Sequence, residues 1–351
     1  MPESPVADLR SDTITQPTAE MRRAMAEAIV ADDGREGDPT ARKLESMAAA
    51  LTGHEAALFC TSGTMGNLLA FMTDLQPGDQ ILAERDSHFL HFEASGCTAL
   101  VGALPLTVAG RAGRMDLAEL ESSINPGSRL RPRTAMIVAE NTHNLAGGTC
   151  LDVDYMQGLW DIAGRHHVLV HLDGARIFNA AVALEVEVKE LTKGCRSVMI
   201  DLSKGICAPY GSLLCGSEEF IVGARAMRRR VGGNVRQIGH MAAAGIVALE
   251  TMVDRLADDH ANARRLAESI HEVRPGLIDL DLVQTNIIYL RTRPLGVSGA
   301  ALVSTLEEAG VRCLATDPNR VRLVTHRDVE AGQIDHAIDV FGKVLRAFPG
   351  A

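Results

Sequence analysis

A chain of 351 residues, 46% hydrophobic and 23% charged, is too long for one ordinary core and too apolar to be disordered. A net charge of −10 argues against nucleic acid or an anionic membrane surface as the main partner. No uninterrupted apolar run reaches bilayer length, and residues 1–8 lack the basic-then-apolar layout of a secretory signal, so a cytoplasmic location is expected.

In chain order, residues 1–20 read as an N-terminal arm laid over the body, followed by a helix. From about residue 55 to 215, short apolar runs alternate with amphipathic segments such as 66–73 and 155–165. The runs at 56–59, 80–83, 134–139, 168–172, 197–201 and 212–215 read as strands, and their lack of alternation suits strands buried on both faces. Strand–helix alternation at this spacing implies an α/β domain with a mainly parallel sheet, placed at 21–240. The stretch from 238 reads as one or two long helices, followed by short strands at 286–290 and 321–324 and a closing helix at 333–347. Residues 241–351 are therefore expected to form a smaller α+β domain. The seven cysteines are odd in number and scattered, without a C-x-x-C pair, which reads as buried reduced thiols. "RHHVLVHLD" offers His166, His167 and His171 on a strand, where helical ligand spacing does not apply, so no metal site is expected.

In open α/β sheets, ligands bind beyond the carboxyl ends of the strands. The segments following the expected strands carry Ser62-Gly63-Thr64, then His88, then Glu140 to Asn144, then Asp173 to Arg176, then Ser203-Lys204-Gly205. Each has a bland reading: a capped helix start, an interior histidine, a capping aspartate. Together they meet the needs of pyridoxal 5′-phosphate. Ser62, Gly63 and Thr64 at a helix start can seat a phosphate, and Asp173 can pair with a ring nitrogen. His88 can lie against a planar ring. Lys204, ending a buried strand, can hold the cofactor covalently, which removes the problem of a buried ammonium. Lys193 precedes the strand in a segment that reads as a solvated loop. No strand is followed by G-x-G-x-x-G, which argues against a nicotinamide dehydrogenase.

The segments "DLRSDTITQPTAEMRRAM", "TSGTMGN", "ENTHN", "HLDGARIFNA", "SKGICAPYGSLL", "VGGNVRQIG" and "VRLVTH", in this order and over nearly the whole chain, resemble the L-threonine aldolase family of fold-type-I pyridoxal phosphate enzymes. The resemblance implies a seven-stranded, mainly parallel sheet domain and cleavage of a β-hydroxy-α-amino acid to glycine and an aldehyde. It further implies that Ser11 and Arg322 hold the substrate carboxylate, with Arg176 and Arg236 helping at carboxylate or phosphate. His88 should stack on the cofactor ring, and His88 or His143 should take the β-hydroxyl proton. The family also implies a homotetramer, a dimer of dimers with shared sites, in which Arg236 is the candidate lent to a neighbour. Another pyridoxal phosphate lyase or transaldolase, acting on phenylserine or 3-hydroxyaspartate, is the alternative. Two departures stand out: Arg35 in "DDGREGDP" replaces the family's aromatic, and Leu145-Ala146-Gly147 follows "ENTHN" in place of its usual turn.

Overall fold

Seven strands form the path of the central sheet in the computed structural model, which describes residues 6–348. They are β1 (Ala56–Cys60), β2 (Gln80–Glu84), β3 (Leu104–Val108), β4 (Arg131–Glu140), β5 (Leu169–Gly174), β6 (Ser197–Asp201) and β7 (Ser212–Gly216). Their spatial order is β1-β7-β6-β5-β4-β2-β3. Pairing is parallel from β6 through β5, β4 and β2 to β3, whereas β7 runs antiparallel to both its neighbours. A short strand, Pro126–Ser128, pairs antiparallel with the start of β4 and makes the sheet eight-stranded. The mainly parallel α/β fold is the one the sequence implied.

Strand β3 escaped the sequence reading for a physical reason. It is an edge strand with Leu104 and Leu106 exposed and Pro105 inside it, so it lacks the buried apolar run of its neighbours. The inner strands carry apolar residues on both faces. Phe59, Leu82, Ile137, Leu172, Ile200 and Leu213 enter one core, while Leu58, Ile81, Met136, Val138 and Leu214 enter the other. Neighbours in sequence point to opposite faces, and helices cover both.

The long helical stretch divides into Gly239–Thr251 and Leu256–Val273. The first sends Ala242, Ala244, Ile246 and Ala248 into the large core; the second sends Leu266 and Ile270 into a separate C-terminal core with Ile288, Leu323 and Phe341. Thus the segment expected to open the C-terminal domain at 241 still serves the large core up to Leu256. Ala7 and Leu9 of the arm join the C-terminal core, where Ala7–Asp8 pairs in parallel with Val311–Arg312. From there the arm turns through a short 3-10 helix, Asp12–Ile14, and reaches the carboxyl ends of β5 and β6. All seven cysteines are buried and unpaired. Among the described residues no helix is long and apolar enough to cross a membrane.

Candidate active site

The strand ends converge as the parallel topology requires. After β1, Ser62 is extended and caps the helix Gly63–Asp74, its hydroxyl accepting from the Met65 N–H at 3.2 Å. Ser212 of β7 fixes this turn by donating to the Ser62 carbonyl at 2.7 Å. The helix start presses on β6: a Cβ on Gly63 would lie 3.2 Å from Asp201 Oδ2, and one on Gly66 would lie 2.6 Å from Met199 Cγ. Small residues are needed there for the helix N-terminus to reach the strand ends. Ser62 and Thr64 remain exposed, so the helix offers an open anion seat.

At the end of β6, Asp201 accepts from the N–H and hydroxyl of Ser203, at 2.7 and 2.8 Å, and its other oxygen faces Lys204 Nζ at 3.2 Å. The Lys204 carbonyl accepts from the Thr15 hydroxyl at 3.0 Å, so the arm helps to hold the lysine loop. The Lys204 side chain is 14% exposed, whereas Lys43, Lys189, Lys193 and Lys343 are all exposed. Lys193 is thereby set aside as a competitor. A cavity of about 200 Å³ is lined by Lys204, Asp201, Asp173, His88, Ser62, Gly63, Thr64 and Glu93.

The far wall of this cavity is a polar network that period-two geometry builds. His171 and Asp173 on β5, and Ser197 on β6, face the helix that carries Asn67. His171 contacts the Ser197 hydroxyl at 2.8 Å and Asn67 Oδ1 at 3.0 Å. Complete burial drives its pKa down to about 4, so the ring is neutral, its Nε2–H donating to Asn67. The Asn67 amide in turn donates to Glu93 at 2.8 Å and to Asp173 at 2.9 Å. Asp173 also accepts from the Ala175 N–H at 3.1 Å. His88 Nδ1 lies 2.9 Å from the same Glu93 oxygen, and a ring nitrogen of His88 and oxygens of Glu93 and Asp173 all fall within 4.8 Å of one another. Burial works to lower the His88 pKa, but Glu93, Asp173 and Glu140 raise it above its ordinary value.

Other residues expected at the site lie elsewhere or are already engaged. Arg176 is buried and bidentate to Asp12, with both contacts at 2.7 Å, so its fork is closed to an external carboxylate or phosphate. His143 is 1% exposed, and its ring lines a different cavity with Glu84, Gly113 and Arg320. The Ala146 N–H donates to its Nδ1 at 3.3 Å, which leaves Nε2 to carry the proton, 3.2 Å from Glu84. The one ring lone pair of that histidine is thereby taken by Ala146. Arg236 is exposed, and it meets Asp32 at 2.9 Å; Arg35, 79% exposed, approaches the same carboxylate at 3.7 Å. Neither arginine lines the cavity. The Ser11 hydroxyl caps the short helix of the arm, accepting from the Thr13 N–H.

Arg322, half-buried, differs from the buried Arg176 and Arg228. Its guanidinium donates to Asn144 Oδ1 at 3.1 Å and to the Arg10 carbonyl at 3.4 Å, while Nε is buried without a partner. No carboxylate pairs with it among the described residues, and burial, with Arg176 nearby, lowers its pKa. Asp12, Asn67, Glu93 and Asp201 were missed by the sequence reading. Asp201 could have been found from its position three residues before Lys204, and Glu93 from its place five residues after His88, but the partners of Asp12 and Asn67 lie far away in the chain.

Residues 8–293 match the family model of the beta-eliminating lyases. The low-specificity L-threonine aldolase 1 of Arabidopsis thaliana is 39% identical over 96% of this chain and 96% of its own length. The low specificity L-threonine aldolase of Escherichia coli K12 is also 39% identical, over 93% of this chain and 96% of that protein. The chain belongs to the beta-eliminating lyase family, among its L-threonine aldolases. The solved threonine aldolase of Leishmania major shares the fold, with a TM-score of 0.82 at 16% identity, covering 97% of this chain and 99% of that one.

As a member of this family, the protein is a lyase that uses pyridoxal 5′-phosphate, and the cavity's donor set fits that cofactor. It provides one sheltered amine for the aldehyde, an open helix N-terminus for the phosphate, a buried carboxylate for the ring nitrogen and an imidazole for the ring face.

Proposed function

We infer that the protein cleaves L-threonine, L-allo-threonine and related β-hydroxy-α-amino acids to glycine and an aldehyde. The observation that carries this reading is the one sheltered lysine, Lys204, sharing a cavity with Asp173, His88 and the helix N-terminus. When bound, pyridoxal 5′-phosphate supplies an electron sink for the pair left at Cα as the Cα–Cβ bond breaks. Lys204 would hold its aldehyde carbon, Ser62, Gly63 and Thr64 its phosphate, and Asp173 its ring nitrogen.

The remaining work falls to the chain's own side chains. Arg322 binds the substrate carboxylate, because its guanidinium is held only by an amide oxygen and a carbonyl and no carboxylate among the described residues neutralises it. Asn144 and the Arg10 carbonyl orient it, and Ser11 follows Arg10 directly. His88 takes the β-hydroxyl proton at Nε2, which makes no hydrogen bond among the described residues. An imidazole with a pKa near the working pH suits that transfer. His143, whose ring lies in the neighbouring cavity, takes no part in it.

Replacing Arg322 with alanine should raise KM about tenfold to several hundredfold, the cost of a charge-assisted contact, and leave the cofactor absorbance unchanged. Steady-state kinetics on L-threonine check this; an unchanged KM and kcat would remove the carboxylate role. The same reading makes the protein a cytoplasmic homotetramer with shared sites. The buried unpaired cysteines are in keeping with a reducing compartment, and Arg236, held at the surface by Asp32, is placed to serve a neighbour. A panel of L-threonine, L-allo-threonine, phenylserine and 3-hydroxyaspartate with aldehyde detection tests the function. Aldehyde from the two threonines is expected, and a protein that acts only on phenylserine or 3-hydroxyaspartate would replace this reading with the alternative.

A further inference from the structure

We propose that Glu93, held by Asn67, is a positioning residue that keeps the neutral His88 ring protonated at Nδ1 and so presents the Nε2 lone pair to the substrate's β-hydroxyl. The proposal rests on the reading of His88 as the base. Three observations support it.

First, one Glu93 oxygen receives both contacts. Asn67 Nδ2 donates to Oε1 at 2.8 Å, and His88 Nδ1 meets the same atom at 2.9 Å. An ionised carboxylate can only accept, so the hydrogen that Glu93 shares with His88 belongs to the ring. A neutral imidazole with its hydrogen on Nδ1 has its lone pair on Nε2. Second, Glu93 is itself fixed. It is 7% exposed, and the Asn67 that holds it is oriented by neutral His171, which is anchored in turn on Ser197. The chain from β6 through β5 and the helix ends on the carboxylate, so His88 is oriented from the sheet although it stands on a short helix, His88–His91. Third, the His88 main chain is pinned as well, its N–H donating to Glu140 Oε2 at 2.7 Å.

The charged groups around His88 are Glu93 just after its own helix, Asp173 at the end of β5 and Glu140 at the end of β4. Across the cavity stands Lys204, paired with Asp201 at the end of β6, and the helix Gly63–Asp74 presents uncharged Asn67. Of the three carboxylates, only Glu93 touches the ring. In the step it serves, the β-hydroxyl O–H bond breaks and an Nε2–H bond forms. The oxygen pair closes the aldehyde C=O as Cα–Cβ breaks, and protonation at Cα completes glycine. The imidazolium so formed faces Glu93, which stabilises it.

The test uses the holoenzyme with labelled histidine, followed by NMR across pH and by kcat/KM profiles. The His88 signal is assigned by its loss in His88→Asn, and the titration is repeated on cofactor-free protein. Glu93→Gln should lower the His88 titration point by about one to two pH units, and the acid limb of kcat/KM should move to lower pH by the same amount. Glu93→Ala should add a loss of the Nδ1-protonated form, and kcat should fall about tenfold to a hundredfold with KM little changed. An unmoved titration point and acid limb in both variants would overturn the proposal. His88→Asn separates the two claims. If the acid limb survives without His88, the base reading itself fails. If the limb vanishes in His88→Asn but ignores both Glu93 variants, only the positioning role fails.

Discussion

Lys204→Ala is expected to fold normally and to lose more than about a thousandfold of turnover, because the group it removes makes and breaks a covalent bond in every cycle. Folding should survive because Asp201, left without the ammonium, keeps its two hydrogen bonds from Ser203. The cofactor should then leave on dialysis, since only the phosphate seat and Asp173 still hold it. No other lysine can substitute, because the remaining four stand in solvent. Absorbance after dialysis and turnover of L-threonine check this. A variant that retained both would mean that the cavity around Lys204 is not the site.

The second large effect concerns stability. Asp12→Ala is expected to cost about 3–5 kcal/mol, because it strands the Arg176 charge in a fully buried position. Against a total stability of about 5–15 kcal/mol, such a loss is severe. Asp12→Leu combined with Arg176→Met should recover much of it, because the burial cost of two charges disappears together with their attraction. The pH dependence has a definite sign. Burial opposes ionisation of Asp12, but the Arg176 charge and its paired hydrogen bonds prevail and hold the carboxyl far below its ordinary value. Its contribution is therefore complete above the unfolded pKa of about 3.9 and lost only as the pH falls through the lower folded value. Urea denaturation at neutral and acid pH measures both effects. The site should suffer too, because Asp12 and Thr15 carry the arm to the Lys204 carbonyl.

This pair also shows what a linear reading misses. The family resemblance cast Arg176 as a ligand for carboxylate or phosphate, a role that a guanidinium fork suits. The chain supplies that carboxylate itself, from a residue 164 positions earlier that only folding brings near. Lys204, Asp173 and the turn at Ser62 were legible because strand ends of a parallel sheet face one side, a rule that needs no tertiary detail. His143 sits at a strand end as well, yet its loop turns back so that Ala146 occupies the nitrogen a base would need. Glu93 left no periodic signal: it lies in an irregular segment whose neighbours, Phe92 and Ala94, fit no period. His171 was considered only as a metal ligand, although counting back two from Asp173 places it on the same face of β5. The edge strand β3 was lost because Pro105 stands inside Leu104–Val108, and a proline argues against a strand except at a sheet edge.

The central claim is that Lys204 carries the cofactor in the cavity shared with Asp173 and His88. The most direct test is borohydride reduction of the holoenzyme, followed by proteolysis and mass spectrometry of the modified peptide. The account predicts a single reduced pyridoxyl group, on Lys204, formed as the visible absorbance disappears. A label on Lys193 or any other lysine, with Lys204 unmodified, would contradict it.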